Sequence, residues 1–225
     1  RRSHTAFAGA LGSGVVMGGF WGLGAIYVLS QTNDPSFVPM FIAANIIGGA
    51  LAQYPIGMAS DRIDRRYVLA ALCAASGLSA FGLLMAETRD ALLLGAFAFG
   101  AFANSLYAVS LAKAADNSKS EEFVTIGSSV LLLNALGSAS SALVIGWAMR
   151  SLGDSALFGF LGVASLITGV FIILQPPGRT AVTIEEQGTF MPATSATAPA
   201  AFDRDPRSDE EVEYEPVVPP DSELE

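Results

Sequence analysis

The sequence predicts an all-α membrane protein of six transmembrane helices. Three observations predict it. Hydrophobic residues make up 52% of the 225 positions and charged residues only 15%, with mean hydropathy +0.49, whereas a soluble domain carries about 25% charge. The apolar excess falls in six charge-free blocks, 12–30, 37–58, 67–86, 91–112, 124–149 and 155–174. At about 1.5 Å rise per residue, each is long enough to cross a hydrocarbon core of roughly 30 Å. Finally, Lys and Arg segregate to alternate connections, as topology in a bilayer requires.

Residues 1–10 read as a short polar lead with two arginines. The first span carries Gly14, Gly18 and Gly22 at four-residue spacing. Overlapping G-x-x-x-G patterns bare one helix face to a close neighbour. Asn33-Asp34-Pro35 forms the turn into the second span, which holds Pro39, Asn45, Gln53, Tyr54 and Pro55. Pro55 removes one backbone hydrogen bond and is expected to bend or loosen the last turn.

A dense knot of charge follows, Gly57-Met58-Ala59-Ser60-Asp61-Arg62-Ile63-Asp64-Arg65-Arg66. Arginines in so short a loop resist translocation and place it on the cytoplasmic side. The third span is small and apolar, with Ser76 and Ser79, and Glu87–Asp90 makes a tight turn. The fourth holds Asn104, Ser105, Tyr107 and Ser110; Lys113–Phe123 reads as a hydrophilic connector. The fifth contains Asn134 among several serines, and the sixth is almost wholly apolar. Residues 176–225 form an acidic, Pro-rich tail. Its twelve acids against three arginines account for the entire net charge of −9. Low hydrophobicity with high charge predicts a disordered tail, dispensable for insertion.

Orientation follows from counting bases near the membrane. Arg1, Arg2, Arg62, Arg65, Arg66, Lys113, Lys119 and Arg179 fall on one side, against Arg89 and Arg150 on the other. Both ends are therefore expected in the cytoplasm. Amides occur in spans 2, 4 and 5, and none in spans 3 and 6. Polar groups in hydrocarbon need partners or a wet cavity, so spans 3 and 6 are expected to face lipid and spans 1, 2, 4 and 5 the interior. This period of three, with a faint echo between Gly18-Gly19-Phe20 and Gly100-Ala101-Phe102, suggests a 3+3 inverted repeat.

Several function classes are excluded. One cysteine, Cys73, and one histidine, His4, leave no His/Cys metal site, and nothing implies a cofactor. A balanced core gives no basic surplus for nucleic acid. His4 lies outside every span, so a six-helix intramembrane serine hydrolase lacks its base. No Asp, Glu, Lys, Arg or His lies mid-span, so any proton-coupling carboxylate is expected outside these six helices, or coupling is of another kind.

The charged knot resembles the motif between the second and third helices of each half of Major Facilitator Superfamily transporters, G-x-L-a-D-R-x-G-R-R. Gly57, Asp61, Arg62, Arg65 and Arg66 match, while Asp64 stands where that family usually has Gly. The glycine-rich first span and the run from Tyr107 to Asn134 are similar to the C-terminal half of small bacterial permeases, over roughly residues 10–175. The acidic tail also fits a natural C-terminus, and the non-Met start fits a fragment. The resemblance implies helices 7–12 of a twelve-helix secondary transporter in the bacterial inner membrane, partnered by an N-terminal six-helix half. Two bundles would rock about a central cavity, with Asp61 docking on a helix N-terminus of the other half and the arginines closing the inner gate. The family's cavity helices put forward Trp21, Tyr27, Asn104, Tyr107 and Ser110, with Asn45 and Asn134 behind them, as contacts to a small-molecule substrate. The alternative is a stand-alone six-helix channel or scaffold.

Overall fold

A computed structural model describes residues 4–116 and 123–175; the expected tail and Lys119 lie outside the described residues. Six helices follow in order: α1 (His4–Thr32), α2 (Phe37–Arg62), α3 (Arg65–Leu84), α4 (Arg89–Asp116), α5 (Phe123–Leu152) and α6 (Ala156–Leu174). All six are long and apolar enough to span a membrane. Most run past the apolar blocks. Residues 4–10 of the polar lead are already helical, and α4 extends to Asp116, beyond the expected start of the connector. A helix satisfies its own backbone whether or not hydrocarbon surrounds it, so its ends need not coincide with loss of hydropathy. The same reasoning covers Pro55, which α2 accommodates without ending until Arg62.

The connections are short and locally specified. Asn33 ends α1 in the left-handed region at φ 51°, its N–H donating to the Leu29 carbonyl at 2.8 Å, as helix C-termini commonly do. Asp34 Oδ1 accepts from the Ser36 N–H at 3.0 Å and the Ser36 hydroxyl at 2.6 Å. Arg89 pairs with Asp34 at 3.0 Å and lies 5.4 Å from the Phe37 ring centroid, tying this turn to the start of α4.

The bundle is built on α1 and α4. In their apolar stretches 56% and 61% of residues are buried, against 28% in α2 and α5. α1 packs on α5 and α6, and α4 on α2 and α3, with α3 against α6. This arrangement corrects the expectation for α2 and α5, which are the least covered helices of this chain. Their amides turn inward, but Ile46, Ile47, Leu51, Leu132, Leu136 and Leu143 are exposed. At the end opposite the charged knot, Phe20 packs on Phe41, Phe99 and Phe158, with centroids 5.9, 5.6 and 6.4 Å away.

The two triplets of helices repeat contact by contact. Asn134 Nδ2 donates to the Ala10 carbonyl at 3.3 Å, and Asn45 Nδ2 to the Ala96 carbonyl at 3.4 Å. A methyl on Gly14 would collide with the Asn134 carbonyl, and one on Gly100 with the Asn45 carbonyl. In the same way Gly137 faces Leu11 and Gly48 faces Phe97. These pairs exchange α1 with α4 and α5 with α2 in a constant register. Ser76 and Ser165 meet each other on α3 and α6, Oγ to Oγ at 3.1 Å. Because consecutive helices alternate in direction, the α1–α3 unit is inverted relative to α4–α6, which is the 3+3 repeat.

Candidate functional site

Two sites emerge, one at the charged knot and one in the middle of the bundle. At the knot, α2 ends at Arg62 and α3 begins at Arg65, leaving Ile63 and Asp64 to make the turn. Asp64 is the N-cap of α3 at φ −52°, ψ 119°, and its carboxylate accepts from the Arg66 N–H at 2.9 Å. No glycine geometry is needed there, so the departure from the family pattern substitutes a cap for a flexible residue. Lys113 pairs with the same carboxylate at 3.2 Å. Burial pushes the Asp64 pKa up, but the Arg66 N–H and the Lys113 ammonium outweigh it and hold the carboxyl below its ordinary range.

Arg65 is buried, with 1% of its surface exposed. Its Nη1 donates to Asp116 Oδ1 at 2.6 Å and to the Ala112 carbonyl at 3.0 Å, and its Nη2 to Asp61 Oδ1 at 3.2 Å. One guanidinium thus joins the end of α2, the start of α3 and the carbonyl end of α4, where a helix dipole favours a cation. Arg66 reaches α6, donating through Nε to the Ile172 carbonyl at 3.0 Å and through Nη2 to the Ile173 carbonyl. Arg62 is exposed and Gly57 buried. Asp116 escaped the sequence reading because it lay in the stretch assigned to a connector. The available signal was helical spacing: Lys113 and Asp116 continue the α4 register.

In the middle of the bundle lies a trough of about 830 Å³ between α1, α2, α4 and α5, within the size range of small-molecule sites, roughly 300–1,000 Å³. Trp21, Asn104, Tyr107 and Asn134 line it. Trp21 is 52% exposed, while Tyr107 is buried. Three of the sequence candidates, Tyr27, Asn45 and Ser110, do not line it. Tyr27 is buried beside Phe158, and its hydroxyl donates to the Leu83 carbonyl at 3.0 Å. Asn45 is buried between α2 and α4, where it accepts from Asn104 Nδ2 at 3.4 Å. Tyr27 and Asn45 satisfy their polar groups against the scaffold, the ordinary fate of a buried polar side chain. Ser110 does the same through the Leu106 carbonyl at 2.7 Å.

Gln53 and Ser138 line the trough without having been singled out. Their signal was in the spacing: Ile46, Gly49, Ala50 and Gln53 share one helix face, as do Asn134, Ser138 and Ala142. Among the described residues no charged side chain lines the trough, and neither α3 nor α6 contributes to it.

The sequence matches the profile of the Major Facilitator Superfamily over residues 6–209. It is also similar to the protein named "Uncharacterized MFS-type transporter YcaD" from Salmonella paratyphi B and from Salmonella newport. Identity to each is 26% over 180 residues, covering 80% of this chain and 46% of theirs. The chain therefore spans about half the length of these relatives.

Proposed function

The chain belongs to the Major Facilitator Superfamily, and on that premise we propose that it forms one six-helix half of a secondary transporter that moves a small molecule by alternating access. It acts as a carrier and not as an enzyme. The observation that carries this reading is the trough. It is lined by α1, α2, α4 and α5, and its flanking helices α2 and α5 keep apolar faces exposed. A second bundle laid across those faces would close the trough into a central cavity, consistent with the half-length match to the relatives. Following the sequence resemblance, this half is the C-terminal one, in a bacterial inner membrane with its charged knot at the cytoplasmic surface.

The knot then serves the inner gate. Arg65 holds Asp61 in place, yet the Asp61 side chain remains 32% exposed, accessible to a second bundle. A helix N-terminus of that bundle would attract the carboxylate, and separation of the halves would break the contact.

Uptake by the full-length protein in proteoliposomes tests this. Asp61→Asn is expected to lower the transport rate about tenfold, the loss of roughly 1.4 kcal/mol of charge–dipole stabilisation. Membrane insertion should be unchanged. Wild-type rates in the variant would remove the gate from the proposal.

A further inference from the structure

The wall of the trough has a polarity fixed by its own scaffold, and this deepens the transport reading on which it rests. Asn104 donates its Nδ2 to the Asn45 carbonyl at 3.3 Å and to Asn45 Oδ1 at 3.4 Å. Asn134 donates its Nδ2 to the Ala10 carbonyl at 3.3 Å and to Ser13 Oγ at 2.8 Å. Turning either amide over would set oxygen against a backbone carbonyl oxygen, so both orientations are determined by the hydrogen-bond network. The amide nitrogens are thus consumed by the helix packing. Gly49 provides the room for Asn104 to fold onto α2: a methyl there would collide with the amide.

What these two asparagines leave to the trough is their carbonyl oxygens, beside the hydroxyls of Tyr107 and Ser138 and the amide of Gln53 on the same lining. Among the described residues no hydrogen bond reaches Oδ1 of Asn104 or Asn134. Neither is among the buried side-chain atoms that lack a partner. Each oxygen is therefore accessible, on a residue that lines the trough. Trp21 adds a broad half-exposed aromatic surface to the same wall. Among the described residues no lysine, arginine or histidine is there to neutralise an anion, and no carboxylate to neutralise a cation.

We infer that the part of the substrate lying on this wall is uncharged and presents hydrogen-bond donors, O–H or N–H, to Asn104 Oδ1 and Asn134 Oδ1, with an apolar face against Trp21. Two fixed acceptors reject a carboxylate or phosphate at this position by placing oxygen against oxygen. They discriminate against analogues lacking the donor because the acceptors would be desolvated without a partner.

The full-length carrier in proteoliposomes, incubated under an imposed proton gradient with a methanol extract of bacterial cells, provides the test. Mass spectrometry identifies solutes that accumulate relative to empty vesicles. Neutral, donor-bearing solutes are expected to accumulate, and Asn104→Leu should reduce their uptake about tenfold. Because Asn104→Leu also removes the packing donor to Asn45, its melting temperature in detergent is measured beside uptake, and Trp21→Ala, at a half-exposed trough position, is the second variant and should lower uptake of the same solutes. Accumulation confined to carboxylates or phosphates would overturn the inference while leaving transport intact. So would neutral uptake indifferent to both variants. Absence of any protein-dependent uptake would instead count against the transport reading and remove the inference with it.

Discussion

Asp64 caps α3 because its carboxylate accepts the Arg66 N–H at 2.9 Å while its backbone stays outside the helical region. Its pKa is held down in the folded protein, which fixes a sign. The stability gained from the charged form is complete above the ordinary carboxyl value of 3.8 and is lost as pH falls through the lower folded value. Asp64→Asn retains an N-cap acceptor but does not titrate. Thermal melts in detergent should show the variant less stable than wild type at pH 7, with the difference closing below pH 3.8. A gap that stays constant across that window would remove the charge from the explanation. Gly100 makes a sharper case. A methyl there meets the Asn45 carbonyl on the backbone of α2, and backbone cannot rotate away as a side chain can. Gly100→Ala is expected to cost about 1–3 kcal/mol, read as a lowered melting temperature. Gly82, with nothing within 4 Å of such a methyl, is the control, and Gly82→Ala should leave the melting temperature nearly unchanged.

At the scale of the element, hydropathy located every helix but not its ends. α1 was expected from residue 12 and begins at His4; α4 was expected to stop at 112 and reaches Asp116. The additional turn of α4 is what brings Asp116 to Arg65 at 2.6 Å. Three helix ends meet through that one guanidinium, while Arg66 covers the last carbonyls of α6. Arg65→Leu leaves Asp116, a buried acid, without its cation. Breaking a buried pair in this way costs about 3–5 kcal/mol, so the variant should be recovered from membranes in reduced folded yield. Arg62→Leu, at an exposed position, should be recovered normally. Equal yields for the two would show that the network does not brace the bundle.

For the whole molecule, the repeat explains why the trough lies where it does. α1 against α5 and α4 against α2 are the same crossing used twice, each closed by an asparagine and by glycines facing backbone. The trough lies between the two crossings, and α3 and α6 close the bundle behind it. Topology is testable with single cysteines, since Cys73 is buried and can be replaced by alanine. A cysteine at exposed Arg62 should react with membrane-impermeant maleimide only after the cells are opened; labelling from outside would invert the proposed orientation.

The sequence by itself determined the number of spans, the charged turn and the family likeness, because hydrocarbon thickness and the cost of moving arginine across it act on composition alone. Trp21, Asn104, Tyr107 and Asn134 were legible as polar or aromatic residues in apolar spans, and they do line the trough. Only the tertiary structure separated them from Tyr27 and Asn45, added Gln53 and Ser138, and brought Asp116 to Arg65. A polar side chain in a span must find a partner, but whether that partner is a neighbouring backbone or a cavity depends on the rotation of each helix about its axis. Rotation is set by contacts between helices far apart in the chain, such as Gly100 against Asn45, and hydropathy carries no record of them.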